Sequence, residues 1–527
     1  MFYFVPSWEE SNDGLSFDDT VNQIKMFYRS GESIENIITR YMPELSYSLH
    51  QQDLLEVPKW SVFDYLQNTV DIRKKLLTIR DIIWPENSEF IYTPFRINVL
   101  VESNLHAQVV FGIGGQIFKV IYYEQGEIIK IDIFDDRGFL SSAVYYDKGY
   151  QEFFDLNGVW QFRMIERDGQ TCVVMNPTQS KRFGKLEYQN INELRSEILT
   201  QYFEKRNISK DDVLIVAADG EQEEELFKLP VKPNKTILSF FESRAAYENS
   251  NNLIGEIAMA DLIIVDTPQK AIKMKKIITA RNGQTPFTQH LLSKINHVTP
   301  YDTRFKLGTS QQYKELVVFT IIDIHSSDML KILDQVLGYM LMHDNVRIVI
   351  GHDRESGERI VLHTKEWFVK YFGVEDQNII WESNGVQGEN EIDNNDEMNP
   401  VISDVVKYYN KVLFQPLDQE EQIISLFDTV RLIIDASDDP NIFTQIAGIS
   451  AGIPQINASK TSYVEHLKNG YVVENIMDIE SAMNFYLDGL KNWNEALIYS
   501  VRKIQDYNSG SIVDKWKLLL GNNDENE

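Results

Sequence analysis

Two series of short apolar runs, each run followed by a stretch of helical periodicity, constrain this chain's fold more than any other feature. The first series comprises Phe2 to Pro6, Val213 to Ala217, Thr236 to Phe240 and Asp261 to Asp266. The second comprises Leu316 to Ile322, Val346 to Gly351, Ile379 to Trp381, Val412 to Gln415 and Leu432 to Ala436. Continuous apolar runs of this kind suit parallel strands buried on both faces, with the intervening helices as their cover. Ser16 is placed to cap a helix with Phe17, Val21, Ile24 and Tyr28 on one face, and Ser327 one with Met329, Leu333, Val336 and Met340 in phase. The expectation is an α/β protein of two doubly wound, Rossmann-like domains facing a cleft.

Between the first two runs the pattern changes. From about Phe90 to Asn176, short β-rich segments (Arg96 to Glu102, Ala107 to Ile113, Glu127 to Phe134) alternate with glycines. Asn157-Gly158 and Asp168-Gly169 are dipeptides that accept the positive φ of a two-residue hairpin turn. Gly112-Ile113-Gly114-Gly115 lacks the Lys-Ser/Thr of a phosphate loop and reads as another hairpin turn. This predicts an inserted antiparallel β-meander. The boundaries follow: 1–88 with 178–308 as a discontinuous N-terminal Rossmann-like domain, 89–177 as the inserted extended β-sheet domain, 309–490 as the C-terminal Rossmann-like domain, and 491–527 as helices crossing back plus a tail. Asn384 to Pro400, polar and acidic, reads as a mobile surface loop, and Gly521 to Glu527 as an unordered end.

Composition narrows the function classes. At 527 residues the chain exceeds a single core. Its net charge of −28 repels nucleic-acid phosphates and anionic lipid. One cysteine, Cys172, permits no internal disulfide, and it reads as a small core residue of a strand rather than a nucleophile. The start, Met1 to Trp8, has no basic segment and its apolar run stops at Pro6, so it reads as a strand and not a signal peptide. No apolar stretch approaches the ~18 residues that cross a bilayer, so a cytoplasmic protein without membrane insertion is expected.

Of the chemical motifs, the richest is Asp435-Ala436-Ser437-Asp438-Asp439-Pro440 at a strand end, followed by a helix running to Ala451-Gly452-Ile453-Pro454. Open α/β sheets bind ligands at the carboxyl ends of strands, against the first turn of the next helix. The plainer reading is that Gly452 and Pro454 only end a helix and begin a strand. Gly448 to Gly452 matches G-x-S-x-G, but it closes a helix instead of opening one, the reverse of a hydrolase elbow. The histidines form no i, i+4 pair, so no metal site is expected; His325 lies past a strand end as a candidate general base, more often a structural histidine. Glu221 to Glu225 reads as a solvated helix face.

The Asp435 to Pro454 segment resembles the donor region of retaining GT-B glycosyltransferases, where an acidic pair eight residues apart precedes Ala-x-Gly-x-Pro. The first acid falls on Asp439 and the second, which holds the donor ribose in those enzymes, on Ala447. Their diphosphate-neutralising basic pair falls on Ile322 and Ser327. The resemblance therefore implies the fold without the donor chemistry: no enzyme activity, no cofactor. Further segments spread over the chain resemble the accessory Sec system protein 1 family of streptococci and related Gram-positive bacteria: Phe4 to Trp8, Phe17 to Ile24, His50 to Glu56, Trp60 to Asp64, Phe134 to Phe139 and Ile449 to Asn457. That resemblance implies a subunit assembling with two sibling accessory secretory proteins and cooperating with a SecA-type motor ATPase to export a glycosylated serine-rich repeat adhesin. Ser437, Asp439, Thr444 and Gln445 are then candidates for a shallow ligand edge offering donors and acceptors to neutral hydroxyls. Two other readings stay open: an active retaining glycosyltransferase modifying a serine-rich protein, and a scaffold whose meander mediates assembly.

Overall fold

The computed structural model describes residues 1–9, 15–70, 77–167, 169–241, 244, 247, 252–324, 327–375, 379–382, 385–388, 400–418 and 420–522. The chain divides into two compact units, one of Met1–Asp266, Ala271–His297 and Lys517–Glu527, the other of Thr267–Lys270 and Val298–Trp516. The division thus falls at Val298, where the sequence suggests 309, and places 491–516 with the second unit.

The first unit holds two sheets. One has seven parallel strands in the order Ile295–His297, Leu262–Val265, Lys235–Phe240, Val213–Ala217, Phe2–Val5, Ile34–Ile38, Lys59–Ser61. Its central strands are apolar on both faces because helices cover both, and Tyr3, Val5, Leu214, Val216, Leu238 and Ile263 are all buried in one core. The first helix, Asp19–Arg29, begins later than Ser16 suggests. Asp18 has the extended backbone of an N-cap, and its carboxylate accepts from the Val21 amide at 2.9 Å and from Trp8 Nε1 at 2.9 Å. Phe17, at φ 56, therefore lies outside the helix.

The second sheet is a ten-stranded antiparallel meander from Glu89–Tyr92 to Glu187–Tyr188, every strand pairing with its sequence neighbours. The 112–116 glycine-rich segment is a hairpin turn, closed by the Gly112 amide donating to Gln116 O at 2.8 Å. Gly158 sits at φ 74 in the turn that Asp155 closes by accepting from the Asn157 and Val159 amides. Asp168 lies outside the described residues; its neighbour Gly169 has φ 77. Arg137 fastens this sheet to the helix Val62–Gln67: its guanidinium bonds Asp135 at 2.7 Å, Asp64 at 2.6 Å and Thr69 O at 3.2 Å.

The second unit is built on six parallel strands in the order Val412–Pro416, Val346–His352, Leu316–Ile321, Val430–Asp435, Gln455–Asn457, Gly470–Val472. Met329, Leu333, Val336 and Met340 are buried, as their phase in the helix Ser327–Met342 requires. Ile379–Glu382 departs from expectation. It does not join this sheet but pairs antiparallel with Gly385–Gly388, and Trp381 packs edge-on against Tyr409 at 4.8 Å. Val412–Pro416 takes the place beside Val346–His352 that the shorter segment would have filled. Residues 389–399 of the acidic stretch, His325, and 523–527 of the tail lie outside the described residues. The final helix, Ser509–Asn522, starts in the second unit and ends in the first, where Lys517 pairs with Glu32. Among the described residues no helix is long and apolar enough to cross a membrane.

Candidate functional site

Strand Val430–Asp435 ends in a carboxylate that organises the turn after it. Asp435 accepts from Ser437 Oγ at 2.6 Å and from the Asn441 amide at 2.7 Å; burial raises the pKa of this carboxyl, and those two donors oppose the rise. Asn441 caps the helix Ile442–Ala451 by accepting from the Thr444 amide at 3.0 Å. The next segment stitches the turn from below: Asn457 Nδ2 donates to Asp435 O at 2.9 Å, Ser459 Oγ to Ser437 O at 3.2 Å, and Gln455 Nε2 to Gln445 O at 2.8 Å. Gly448 allows that approach, since a Cβ there would lie 2.4 Å from Gln455 Nε2.

This geometry sorts the four candidate residues. Asp439 is exposed and Ser437 half-buried, with its hydroxyl donated to Asp435. Thr444 and Gln445 are buried, at 1% and 2% exposure. Thr444 Oγ1 donates to Asn441 O at 2.9 Å. Gln445 Nε2 donates to Pro440 O at 3.0 Å while its Oε1 accepts from Thr461 Oγ1 at 2.6 Å. The four share one turn and helix, but only Ser437 and Asp439 reach its surface. Helix capping falls to Asn441, a residue outside the candidate set.

Ala447 is buried and lines a cavity of about 210 Å³ within the second unit. Arg304 and Lys306 line it too, two cations that lie apart in sequence from Ile322 and Ser327. Ile322 is buried at 1% exposure. The cavity also carries Asp302, Glu420 and Asp428, and Asp302 pairs with Arg304, so carboxylates outnumber cations. The signal was present in Tyr301-Asp302-Thr303-Arg304-Phe305-Lys306, an alternation of rings and charges in a stretch that reads as a mere connection.

A second constellation, unseen from sequence, lies on one face of the ten-stranded sheet. Register places Tyr122, Lys130, Tyr145 and Tyr150 in one cross-strand row, all half-buried. Lys130 Nζ stands 5.3 Å from the Tyr122 ring and 5.4 Å from that of Tyr145, Tyr145 and Tyr150 meet at 5.1 Å, and Arg163 lies 5.0 Å from Tyr150 and 4.2 Å from Trp160. Each cation has its own carboxylate, Asp132 at 2.8 Å from Lys130 and Glu152 at 2.5 Å from Arg163. Burial, then the Glu152 charge, pushes the Tyr145 phenol up to about 12, so this ring stays neutral. The result is a row of aromatic rings among internally compensated charges. Among the described residues no group of three or more potential ligands is placed to hold a metal ion.

A family model described as accessory Sec system protein 1 matches residues 1–522. The accessory Sec system protein 1 of Streptococcus gordonii is 35% identical, with 99% of each chain covered. A crystal structure of accessory secretory proteins 1, 2 and 3 of Streptococcus pneumoniae contains a chain of 30% identity and TM-score 0.77, with both chains fully covered at 100%. The pneumococcal O-GlcNAc transferase GtfA, solved with UDP and GlcNAc, shares the fold at TM-score 0.67 and 13% identity over 99% of each chain.

Proposed function

This chain belongs to the accessory Sec system protein 1 family, and from that premise we propose that it is a non-catalytic subunit of the accessory Sec export apparatus that recognises sugars on its cargo. The observation that carries the non-catalytic reading is Ala447. A methyl group stands where the resembling transferases place the acid that holds the donor ribose, and it cannot accept a hydrogen bond. The cavity beside it gives a diphosphate no net positive charge, because Asp302, Glu420 and Asp428 oppose Arg304 and Lys306.

The solved pneumococcal relative assembles with accessory secretory proteins 2 and 3, so two siblings of that kind are the proposed partners. The family resemblance supplies the remaining ones: a SecA-type motor ATPase and a glycosylated serine-rich repeat adhesin, met in the cytoplasm. For sugar recognition, the tyrosine row of the ten-stranded sheet offers ring faces flanked by compensated donors and acceptors, which suits neutral hydroxylated ligands. Ser437 and Asp439 are a second, smaller edge. Weak contacts of this kind gain affinity when one repetitive cargo presents many sugars.

Two measurements test the reading. Co-purification from the chain's own cytosol should return the two siblings and the glycosylated cargo. Isothermal titration with UDP-sugars should show no binding, and micromolar affinity for any of them would restore the glycosyltransferase reading.

A further inference from the structure

The cavity beside Ala447 has a wall chemistry that the export reading does not use. Tyr301, Phe305, Ile424, Phe443, Ile446 and Ala447 supply its apolar surface. The rings meet edge-on, Tyr301 with Phe443 at 5.3 Å and Phe305 with Phe443 at 6.3 Å, and the pocket they line also takes residues from the helices Glu420–Phe427 and Ile442–Ala451. Ala447, buried on the helix Ile442–Ala451, contributes only a methyl group to this wall.

Size and polarity define the occupant. An apolar cavity of about 150 Å³ accepts a benzene ring, and this pocket, open beside Ile424 at 41% exposure and with charged groups in its wall, measures about 210 Å³. Among the charged groups of its lining, Asp302 pairs with Arg304, and Lys306, Glu420 and Asp428 complete a set of three carboxylates and two cations. Such a set can meet a dipolar group such as an amide, but it repels a polyanion.

We propose that this cavity is a binding site for a single uncharged aromatic ring, of the size of a phenol or an indole. The ring enters between Phe443, Ile446 and Ala447 on one helix and Ile424 on the other, against Tyr301 and Phe305. This inference stands without the export reading, since it follows from the cavity alone. A ring of this class has two sources, the side chain of a polypeptide or a free small molecule, and the cavity treats them alike.

The test uses the full chain and four probes in isothermal titration: indole, 4-methylphenol, N-acetyl-tryptophanamide and UDP. The expected result is saturable binding of the first three and none of UDP. Ala447→Leu, which puts an isobutyl group into the space, should weaken ring binding at least tenfold while leaving the melting temperature unchanged or higher. Ile424→Trp fills the cavity from the other helix, at a position 41% exposed, and should do the same if Ala447→Leu does not fold. Tighter binding of N-acetyl-tryptophanamide than of indole assigns the ring to a polypeptide, and the reverse order to a free molecule; either supports the site. Absence of ring binding by the natural chain overturns the proposal. So does ring binding that survives both substitutions, or UDP binding that Ala447→Leu abolishes.

Discussion

Asp18 caps the first helix from a position beside Asp19, with Arg244 bonded to Asp19 and within 4.0 Å of Asp18 itself. Burial, then the Asp19 charge, raises its carboxyl from 3.8 to about 6, while Arg244, Trp8 and the Val21 amide pull the other way. Between those two values the folded chain holds a proton that the unfolded chain has released, so stability falls as pH rises through that window. Asp18→Asn keeps the cap acceptor and removes the ionisation. Its melting temperature should therefore fall less than the natural chain's between pH 4 and 6.5, and parallel curves would refute the assignment. Gln445 permits a second test at this scale. Losing its buried carboxamide takes the side-chain donor from Pro440 O and the acceptor from the Thr461 hydroxyl, so Gln445→Ala should cost about 2–3 kcal/mol. Asp439→Ala, on the surface, should change stability by less than about 0.5 kcal/mol, and comparable losses in urea unfolding would contradict this placement. The sequence told which segment carries these residues but not which way they face. Spacing from Pro454 singles out Ala447 in the sequence, whereas Gln445 looks inward because Gln455 and Thr461 bond it from the next segment, a tertiary fact with no local signature.

At the scale of elements, apolar runs and turn dipeptides located strands well, because burial on both faces and positive φ each demand particular residues. Val213–Ala217 matches its run to the residue. Ile379–Glu382 shows the limit: four apolar-rich residues suit a sheet strand or a hairpin arm equally, and pairing partners decide. The tyrosine row was hidden for a related reason, since its members come from four strands and only register aligns them. The helix Ile442–Ala451 ends at Gly452 with φ 73, where a Cβ would also meet Leu497 Cδ1 at 2.8 Å and Leu307 Cδ1 at 2.9 Å. Gly452→Ala thus combines a left-handed backbone with a steric clash, and should cost about 2–4 kcal/mol. Gly489→Ala is the control, with extended backbone and nothing within 4 Å. Equal thermal stability of the two variants would refute the argument.

Over the whole molecule, the first unit is assembled from three separate pieces of chain, and its seven-stranded sheet seats Phe2–Val5 between Val213–Ala217 and Ile34–Ile38. The ten-stranded sheet lies between these partners in sequence and is made solely of neighbour-to-neighbour hairpins. Local pairings form early because little loop entropy opposes them, and distant ones form late. The meander is therefore a kinetic clamp: once zipped, it replaces a long flexible excursion with a compact body, and each halving of the remaining loop lowers the closure cost by about 0.6 kcal/mol. Refolding should then run in a fixed order. In pulsed hydrogen exchange, the amides of Ile117–Glu124 and Glu127–Asp135 should gain protection before those of Val213–Ala217, whose ladder with Phe2–Val5 waits for the chain's first strand to arrive. Simultaneous protection of both sheets would show that the meander closes only with the rest.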